Sequence, residues 1–160
     1  TAGVDRASPC KREKRGCGLT ESNSYNAIRG GTAMPEEKHA RRQIIARIDE
    51  ILQDNPVPAG ENSRAVRLVD DDAISIIVSC MLEGAELRHH VHKTHAETEV
   101  FIRGAGQLFV GDRWVEVKAG SLHYNPAHAV HAIRNAGAEP LVVLVVFTPG
   151  MKETDRHFTE

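Results

Sequence analysis

Four side chains between residues 84 and 135 have the types and the spacing of a metal-binding site. His90 and His92 are separated by one residue, so on a β-strand both imidazoles point to the same face. Glu97 follows after a short turn and can enter the same cavity from the neighbouring strand. His131 can complete the group from a strand that is distant in the sequence. These four residues are therefore predicted to surround one cavity.

The predicted ligand set contains three imidazoles and one carboxylate. Such a mixed nitrogen and oxygen shell suits Fe(II), Mn, Ni, Co or Zn better than Ca or Mg, which prefer oxygen ligands. The shell contains no thiolate, so residue types alone leave both oxygen activation and Lewis-acid catalysis open. We predict one divalent transition metal bound by His90, His92, Glu97 and His131.

The spacing resembles the two sequence motifs of the cupin superfamily. The first motif, G-x5-H-x-H-x(3,4)-E-x6-G, is matched in full from Gly84 to Gly104. The second, G-x5-P-x-G-x2-H-x3-N, is matched from Gly120 to Asn135 except at its inner glycine, where this chain has His128. Because a histidine adopts glycine-type backbone angles only with strain, the turn that contains it is expected to differ.

The resemblance covers roughly residues 64–149 and implies an all-β fold, an antiparallel cupin β-barrel of the double-stranded β-helix or jelly-roll type. The sequence pattern agrees, because short strand-like segments are separated by turns and do not alternate with helices. Residues 150–160 are expected to form a C-terminal tail. The predicted strands are Arg64 to Val69, Ala73 to Leu82, Leu87 to His92, Thr98 to Arg103, Gln107 to Val110, Trp114 to Val117, Ser121 to Tyr124, Val130 to Arg134 and Leu141 to Phe147.

One amphipathic helix is predicted over residues 34–55, before the barrel. Pro35 suits the first helical turn, and the two glutamates that follow it favour the positive end of the helix dipole. The apolar stripe is expected to cover one end of the barrel or to contact a partner chain. It consists of Ile44, Ile45, Ile48, Ile51 and Leu52.

Residues 1–33 are polar and have no apolar periodicity, so we expect them to be disordered. A second hypothesis is that they are not native. Adjacent glycine codons for Gly30 and Gly31 can spell a bacterial ribosome-binding site a few codons before Met34. The natural chain would then begin at Met34, which the intact mass of the native protein would test.

Three further residues are candidates for catalysis. Glu99 shares strand parity with Glu97 and is a second carboxylate for acid or base work. Tyr124, with His123 beside it, lies just before the proline of the second motif and can contact a substrate or act as a base near the metal. His128 can orient a ligand or stand at the cavity mouth. Strand parity and turn position exclude other nearby histidines from the ligand set, namely His89 and His95.

Composition limits the class of protein. At 160 residues, with 41% hydrophobic and 26% charged residues, the chain fits one soluble domain. A net charge of −2 gives no reason to expect nucleic acid or an acidic membrane surface as partner. The chain has three cysteines and no apolar run of membrane-spanning length. We therefore expect a cytoplasmic protein with reduced thiols, in which Cys80 is a small core residue.

Three functions remain open from the sequence. The leading hypothesis is a metal-dependent enzyme acting on a small polar molecule, since the resemblance includes dioxygenases, sugar-modifying isomerases and epimerases, and dimethylsulfoniopropionate lyases. The few aromatic residues and polar cavity candidates favour lyase or isomerase chemistry over oxygen activation. The second hypothesis is a non-catalytic binding or sensor protein, and the third is a structural protein without a metal. The resemblance also implies a homodimer.

Overall fold

The computed structural model describes residues 43–159, in which one helix precedes ten β-strands. This confirms the predicted all-β jelly roll with a helix before the barrel. The elements are α1 (Ile48–Asp54), β1 (Ser63–Asp70), β2 (Ser75–Met81), β3 (Glu86–His92), β4 (Ala96–Arg103), β5 (Ala105–Val110), β6 (Arg113–Lys118), β7 (Leu122–Asn125), β8 (His131–Arg134), β9 (Leu141–Thr148) and β10 (Arg156–Phe158).

The strands form two five-stranded antiparallel sheets. The first sheet has the order β1-β2-β9-β4-β7 and the second has the order β10-β3-β8-β5-β6. Side chains alternate between the two faces of each strand, so each sheet presents one apolar face to the barrel interior. The interior is filled by Phe101, Leu108, Ile133, Val143 and Phe147 among others.

A second apolar layer lies between α1 and the outer face of the first sheet. Leu52 of α1 is fully buried there against Val78 and Val142. Cys80 is buried in the same layer, as expected for a small core residue. It is disulfide-bonded, however, which differs from the reduced thiols that the odd cysteine count led us to expect.

The helix is shorter than the predicted span of residues 34–55. Within the described residues it begins at Ile48, and residues 43–47 are not helical. Ile45 is 97% exposed, so within residues 43–159 the first part of the apolar stripe has no packing partner that would stabilise a helix. Residues 34–42 of the predicted helix, and the predictions for residues 1–33, lie outside the described part of the chain.

The C-terminal residues contain a strand where a tail was predicted. β10 pairs with β3, with Arg156 opposite His92 and Phe158 opposite His90. The strand has three residues, all exposed, so no apolar alternation marks it in the sequence. β10 is therefore the edge strand of the second sheet and lies next to β3, which carries two of the predicted ligands.

Backbone geometry explains two positions of the sequence motifs. Gly104 has a φ of 79°, and a Cβ there would lie 2.5 Å from the carbonyl oxygen of Pro140, so the position excludes a side chain. His128 has a φ of 70° and replaces the motif glycine without abolishing the left-handed turn. Its backbone N–H donates to the carbonyl of His92 at 2.7 Å, which holds this conformation in place.

Asn135 joins the beginning of the first motif to the end of the second. Its buried side-chain amide donates to the carbonyls of Met81 and Glu139, both at 2.9 Å, and its oxygen accepts from the N–H of Gly137. Replacing Asn135 with alanine is expected to lower the free energy of unfolding by about 3 kcal/mol, because buried backbone groups lose their partners. Urea denaturation measures this, with exposed Asn62→Ala as the control. Equal stabilities of the two variants would contradict the assignment.

Candidate metal centre

The four predicted ligands converge inside the barrel. His90 and His92 lie on β3, Glu97 lies on β4 and His131 lies on β8. All four are buried, and one ligand atom from each lies within 4.8 Å of the others. His90 and His131 are direct partners in the β3–β8 register, so neighbouring strands bring residues 41 positions apart side by side.

A β-bulge in β3 sets the direction of the two histidines on that strand. The register against β8 shifts between Leu87 and His90, so one extra residue lies on β3. Leu87 packs against the barrel core, and His90 also points inward although the two residues are an odd number apart. His89 is consequently turned to the outer face, where it stacks against Phe109 and Trp114. The structure therefore excludes His89 from the cluster, as predicted.

The Nδ1 atom of each histidine is held by a main-chain carbonyl. His90 Nδ1 lies 2.8 Å from the carbonyl of Arg88, and His92 Nδ1 lies 3.2 Å from that of Asp155. His131 Nδ1 lies 3.3 Å from the carbonyl of Ala129. A carbonyl only accepts, so in His90 and His92 these contacts favour a proton on Nδ1 and leave the Nε2 lone pair for a metal ion. His131 Nδ1 also lies 2.7 Å from the side-chain amide of Asn125, nearer than the carbonyl of Ala129.

The Nε2 atoms of His90 and His92 are buried and make no hydrogen bond within the described residues. His92 Nε2 is 3.2 Å from the Glu97 carboxylate, but without hydrogen-bond geometry. Buried polar atoms without partners are rare in folded proteins, and a bound cation would satisfy both nitrogens. The donor set therefore fits a metal ion that the three histidines and the Glu97 carboxylate would hold, and a divalent transition metal stays a prediction.

Burial and neighbouring charges shift the pKa values of the ligands in this cluster. Burial lowers the pKa of His90 to about 4, and the nearby charges of His131 and Arg156 act in the same direction. Burial alone would raise the pKa of Glu97, but the hydrogen bond with His131 and the close contact with His92 lower it to about 2. Burial likewise opposes protonation of His131, but its 2.7 Å contact with Glu97 raises the pKa of His131. In the metal-free protein, the Glu97–His131 pair carries opposite charges.

Acid should destabilise the metal-free protein through His90. Because the pKa of His90 is about 4 in the folded chain and 6.5 for an unperturbed histidine, the unfolded chain takes up the proton first. This contribution, about 3 kcal/mol, is present above pH 6.5 and lost as the pH falls to 4. His131 has a raised pKa, so its contribution does not change within this window. Protonation of Glu99, whose pKa is also raised, opposes the loss.

Urea denaturation of metal-free wild-type protein and His90→Gln at pH 7 and pH 4 isolates this effect. The opposing contribution of Glu99 is common to both proteins. The variant is expected to lose about 3 kcal/mol less stability between the two pH values than the wild type. Equal losses would show that His90 is not buried in its neutral form.

A second carboxylate, Glu99, lies beside the cluster. It is two residues from Glu97 on the same face of β4 and is only 3% exposed. Its Oε2 atom lies 2.9 Å from Nδ1 of His123, on β7. Burial raises the pKa of Glu99, and the charge of Glu97 adds to this, while the contact with His123 opposes it. The predicted position of Glu99 on the cavity face is correct.

The other candidates for catalysis do not face the cavity. Tyr124 pairs with Thr98 on the outer face of the first sheet and is 59% exposed, so its predicted position near the metal is wrong. The β4–β7 register turns its neighbour His123 inward instead. The side chain of His128 is exposed. Arg103 has the strand parity of Glu97 and Glu99, but it binds Asp49 of α1 because a bulge shifts the register after Phe101.

Sequence reasoning missed two residues that position the ligands. Asn125 is buried, and its side-chain amide lies 2.7 Å from His131 Nδ1. Asp155 accepts from His92 through its carbonyl, and its carboxylate accepts from Thr94 and contacts His95. Asn125 precedes the motif proline and shares the parity of His123, which was the available signal. Asp155 lies in the segment predicted to be a tail, and no sequence pattern marked it as a residue of the site.

A cavity of about 170 Å³ opens beside the cluster, between the two sheets. Its walls are mostly apolar and include Ile77, Ile133 and Val145. Glu97 and Glu99 line it, and Arg156 of β10 borders it. This volume lies below the roughly 300–1,000 Å³ of typical drug-sized ligand sites, so it suits a molecule of few atoms.

Comparison with known proteins agrees with this architecture. A family model for the cupin domain matches residues 77–147, which contain all four ligands. L-ectoine synthase from Aliivibrio fischeri is 25% identical over 118 residues, covering 71% of this chain and 91% of that protein.

Two solved structures illustrate the similarity of fold. A conserved protein from Klebsiella pneumoniae with a double-stranded β-helix domain superposes with a TM-score of 0.63 at 22% identity, covering 74% of this chain and 99% of that chain. KdgF from Halomonas sp. superposes with a TM-score of 0.54 at 15% identity, covering 57% and 82%. Within residues 43–159, no helix has the length and apolar character needed to cross a membrane.

Proposed function

Because this chain is a member of the cupin superfamily, we propose that it is a metal-dependent enzyme that acts on a small polar molecule by non-redox proton transfer. One observation carries the proposal. A buried carboxylate, Glu99, lines the same cavity as the metal ligand Glu97 and is not itself one of the four ligands. A binding protein needs no second buried carboxylate, whereas acid–base catalysis does.

The three histidines and Glu97 would hold a divalent ion, which would supply Lewis-acid polarisation of a substrate oxygen. Residues of the protein itself would transfer the proton and position the group that carries it. Glu99 stands two residues along β4 from Glu97, a separation of about 7 Å between Cα atoms. Burial raises the pKa of Glu99 above the ordinary value of a glutamate. A carboxyl group with a raised pKa can both accept a proton and return it during a reaction. His123 fixes the orientation of Glu99 through their 2.9 Å contact.

The remaining cavity features favour a small substrate and the exclusion of bulk water. Apolar side chains of both sheets surround the two carboxylates, so charges inside the cavity interact strongly. The similarity to L-ectoine synthase, an enzyme by its name, supports a catalytic role over passive binding.

A metal-exchange experiment tests the proposal. Protein loaded with Zn²⁺ or Mn²⁺ is screened without oxygen against small hydroxy, keto and amino acids, and products are followed by NMR. Turnover with both metals is the expected result. Strict dependence on Fe and oxygen would overturn the non-redox proposal. A ligand that binds and is recovered unchanged with every metal would instead favour the binding or sensor alternative.

We also propose that the protein is a homodimer. The β4–β7 pair leaves an apolar outer face without cover in the described chain. On this face Leu122, paired with Val100, is 67% exposed and Tyr124, paired with Thr98, is 59% exposed. A second copy of the chain would bury this face.

Leu122→Asp is expected to convert the dimer to a monomer at micromolar concentration, because it places a charge in the buried interface. Light scattering measures the mass. Val115→Asp, at an exposed position on β6 in the other sheet, is the matched control and should remain dimeric. A monomeric wild-type protein would contradict the proposal.

A further inference from the structure

Arg156 is a cation that β10 places at the mouth of the metal cavity. It is the direct partner of His92 in the antiparallel β3–β10 register, and paired residues present their side chains on the same face. His92 points inward to the cluster, so Arg156 is on the cavity side. It borders the cavity together with Glu97 and Glu99.

No carboxylate within residues 43–159 forms a hydrogen bond or an ion pair with Arg156. The adjacent acid, Asp155, is fully engaged elsewhere. One of its oxygens accepts from Thr94 and contacts His95, and the other contacts His157 at 3.1 Å. The guanidinium of Arg156 therefore has five donors available at the cavity mouth.

The backbone on both sides of Arg156 is held in place. The carbonyl of Asp155 contacts His92 Nδ1 at 3.2 Å, and the N–H of Thr159 donates to the carbonyl of His89 at 3.0 Å. The ring of Phe158 lies below the guanidinium of Arg88, 4.7 Å away. A cation on such a fixed segment loses little backbone entropy when it binds a ligand.

The charged residues that line the cavity indicate which class of ligand Arg156 binds. Glu97 is paired with His131, but Glu99 is a second buried carboxylate on the cavity wall, and in its charged form it would repel an anion unless a positive charge faced it. Arg64 also borders the cavity, but it pairs with Cys80, which faces α1, so its side chain is on the outer face. Arg156 therefore provides the positive charge on the cavity side. Its planar fork matches the two oxygens of a carboxylate.

We infer that Arg156 is a specificity-determining residue that binds an oxyanion group, most simply a carboxylate, of a small anionic substrate. The inference rests on the proposed function, because it places the substrate in the same cavity. The opposite end of such a molecule would lie toward Glu99 and the metal ligands. Neutral molecules of the same size would lack the contact with Arg156.

Calorimetric titration with malonate, inorganic phosphate and neutral malonamide tests this inference. Wild type, Arg156→Gln and Arg113→Gln are compared, each loaded with Zn²⁺ and each metal-free. Arg113 is an exposed arginine on β6 and serves as the matched control. Zn²⁺ content is measured for every sample, so a failure of metal binding is seen separately.

Malonate affinity is expected to fall at least about tenfold in Arg156→Gln and to stay unchanged in Arg113→Gln. Malonamide binding should not respond to either change, and Arg156→Lys should keep part of the malonate affinity. A larger loss for phosphate than for malonate would assign the site to phosphorylated molecules. Equal affinities of wild type and Arg156→Gln for both anions, with and without Zn²⁺, would overturn the inference. Such a result would leave the metal-dependent function intact, whereas absent Zn²⁺ uptake would count against that function instead.

Discussion

Replacing any one of the four ligands with alanine is expected to lower the affinity for Zn²⁺, Mn²⁺ or Fe²⁺ by at least about 100-fold. Loss of a residue that only orients a ligand typically costs 10-fold to 100-fold, and loss of a ligand costs more. The four variants are His90→Ala, His92→Ala, Glu97→Ala and His131→Ala. Elemental analysis after dialysis against a fixed free-metal concentration measures the effect.

His89→Ala is the matched control for His92→Ala. Both histidines lie on β3, but His89 stacks against Phe109 and Trp114 on the outer face. Its removal should leave the metal content unchanged. Equal metal loss from the two variants would mean that the assignment of His92 to the inner face of β3 and of His89 to the outer face is wrong. His95 is a weaker control than its sequence position suggested, because it contacts Asp155, which holds His92.

Glu99→Gln is expected to reduce kcat by about 10²-fold to 10⁴-fold while the metal content stays that of the wild type. Glutamine keeps the size of the side chain and removes its ability to take up a proton. The measurement requires the substrate found in the metal-exchange screen, with kcat and KM determined separately.

Glu116→Gln, at an exposed position on β6, is the control for the loss of one negative charge. A Glu99→Gln enzyme with unchanged kcat would remove Glu99 from catalysis. Loss of metal from this variant would instead show that Glu99 supports the ligand shell.

His90 and His92 were predictable from strand alternation, whereas Glu97 and His131 were assigned to the same site through the resemblance to the cupin motifs. His90 and His92 differ by two positions, so their shared face follows from strand geometry alone. The bulge before His90 was not predictable. It reverses the alternation between Leu87 and His90, and no residue type in between marks it.

Strand register limited the prediction of the residues around the metal. His123 and Tyr124 were both candidates, because either can face inward depending on how β7 aligns with β4. The pairing of Glu99 with His123 decides this, and pairing between distant strands leaves no local pattern. The contribution of Asp155 and Arg156 was missed for a related reason. β10 is held by three backbone pairs with β3 and not by buried apolar side chains.

The metal content of freshly purified wild-type protein tests the central claim most directly. Elemental analysis should find one divalent transition-metal ion per chain, and Glu97→Ala prepared in the same way should have lost it. Wild-type protein that contains no such ion, and that takes up none from solutions of Zn²⁺, Mn²⁺ or Fe²⁺, would contradict the account.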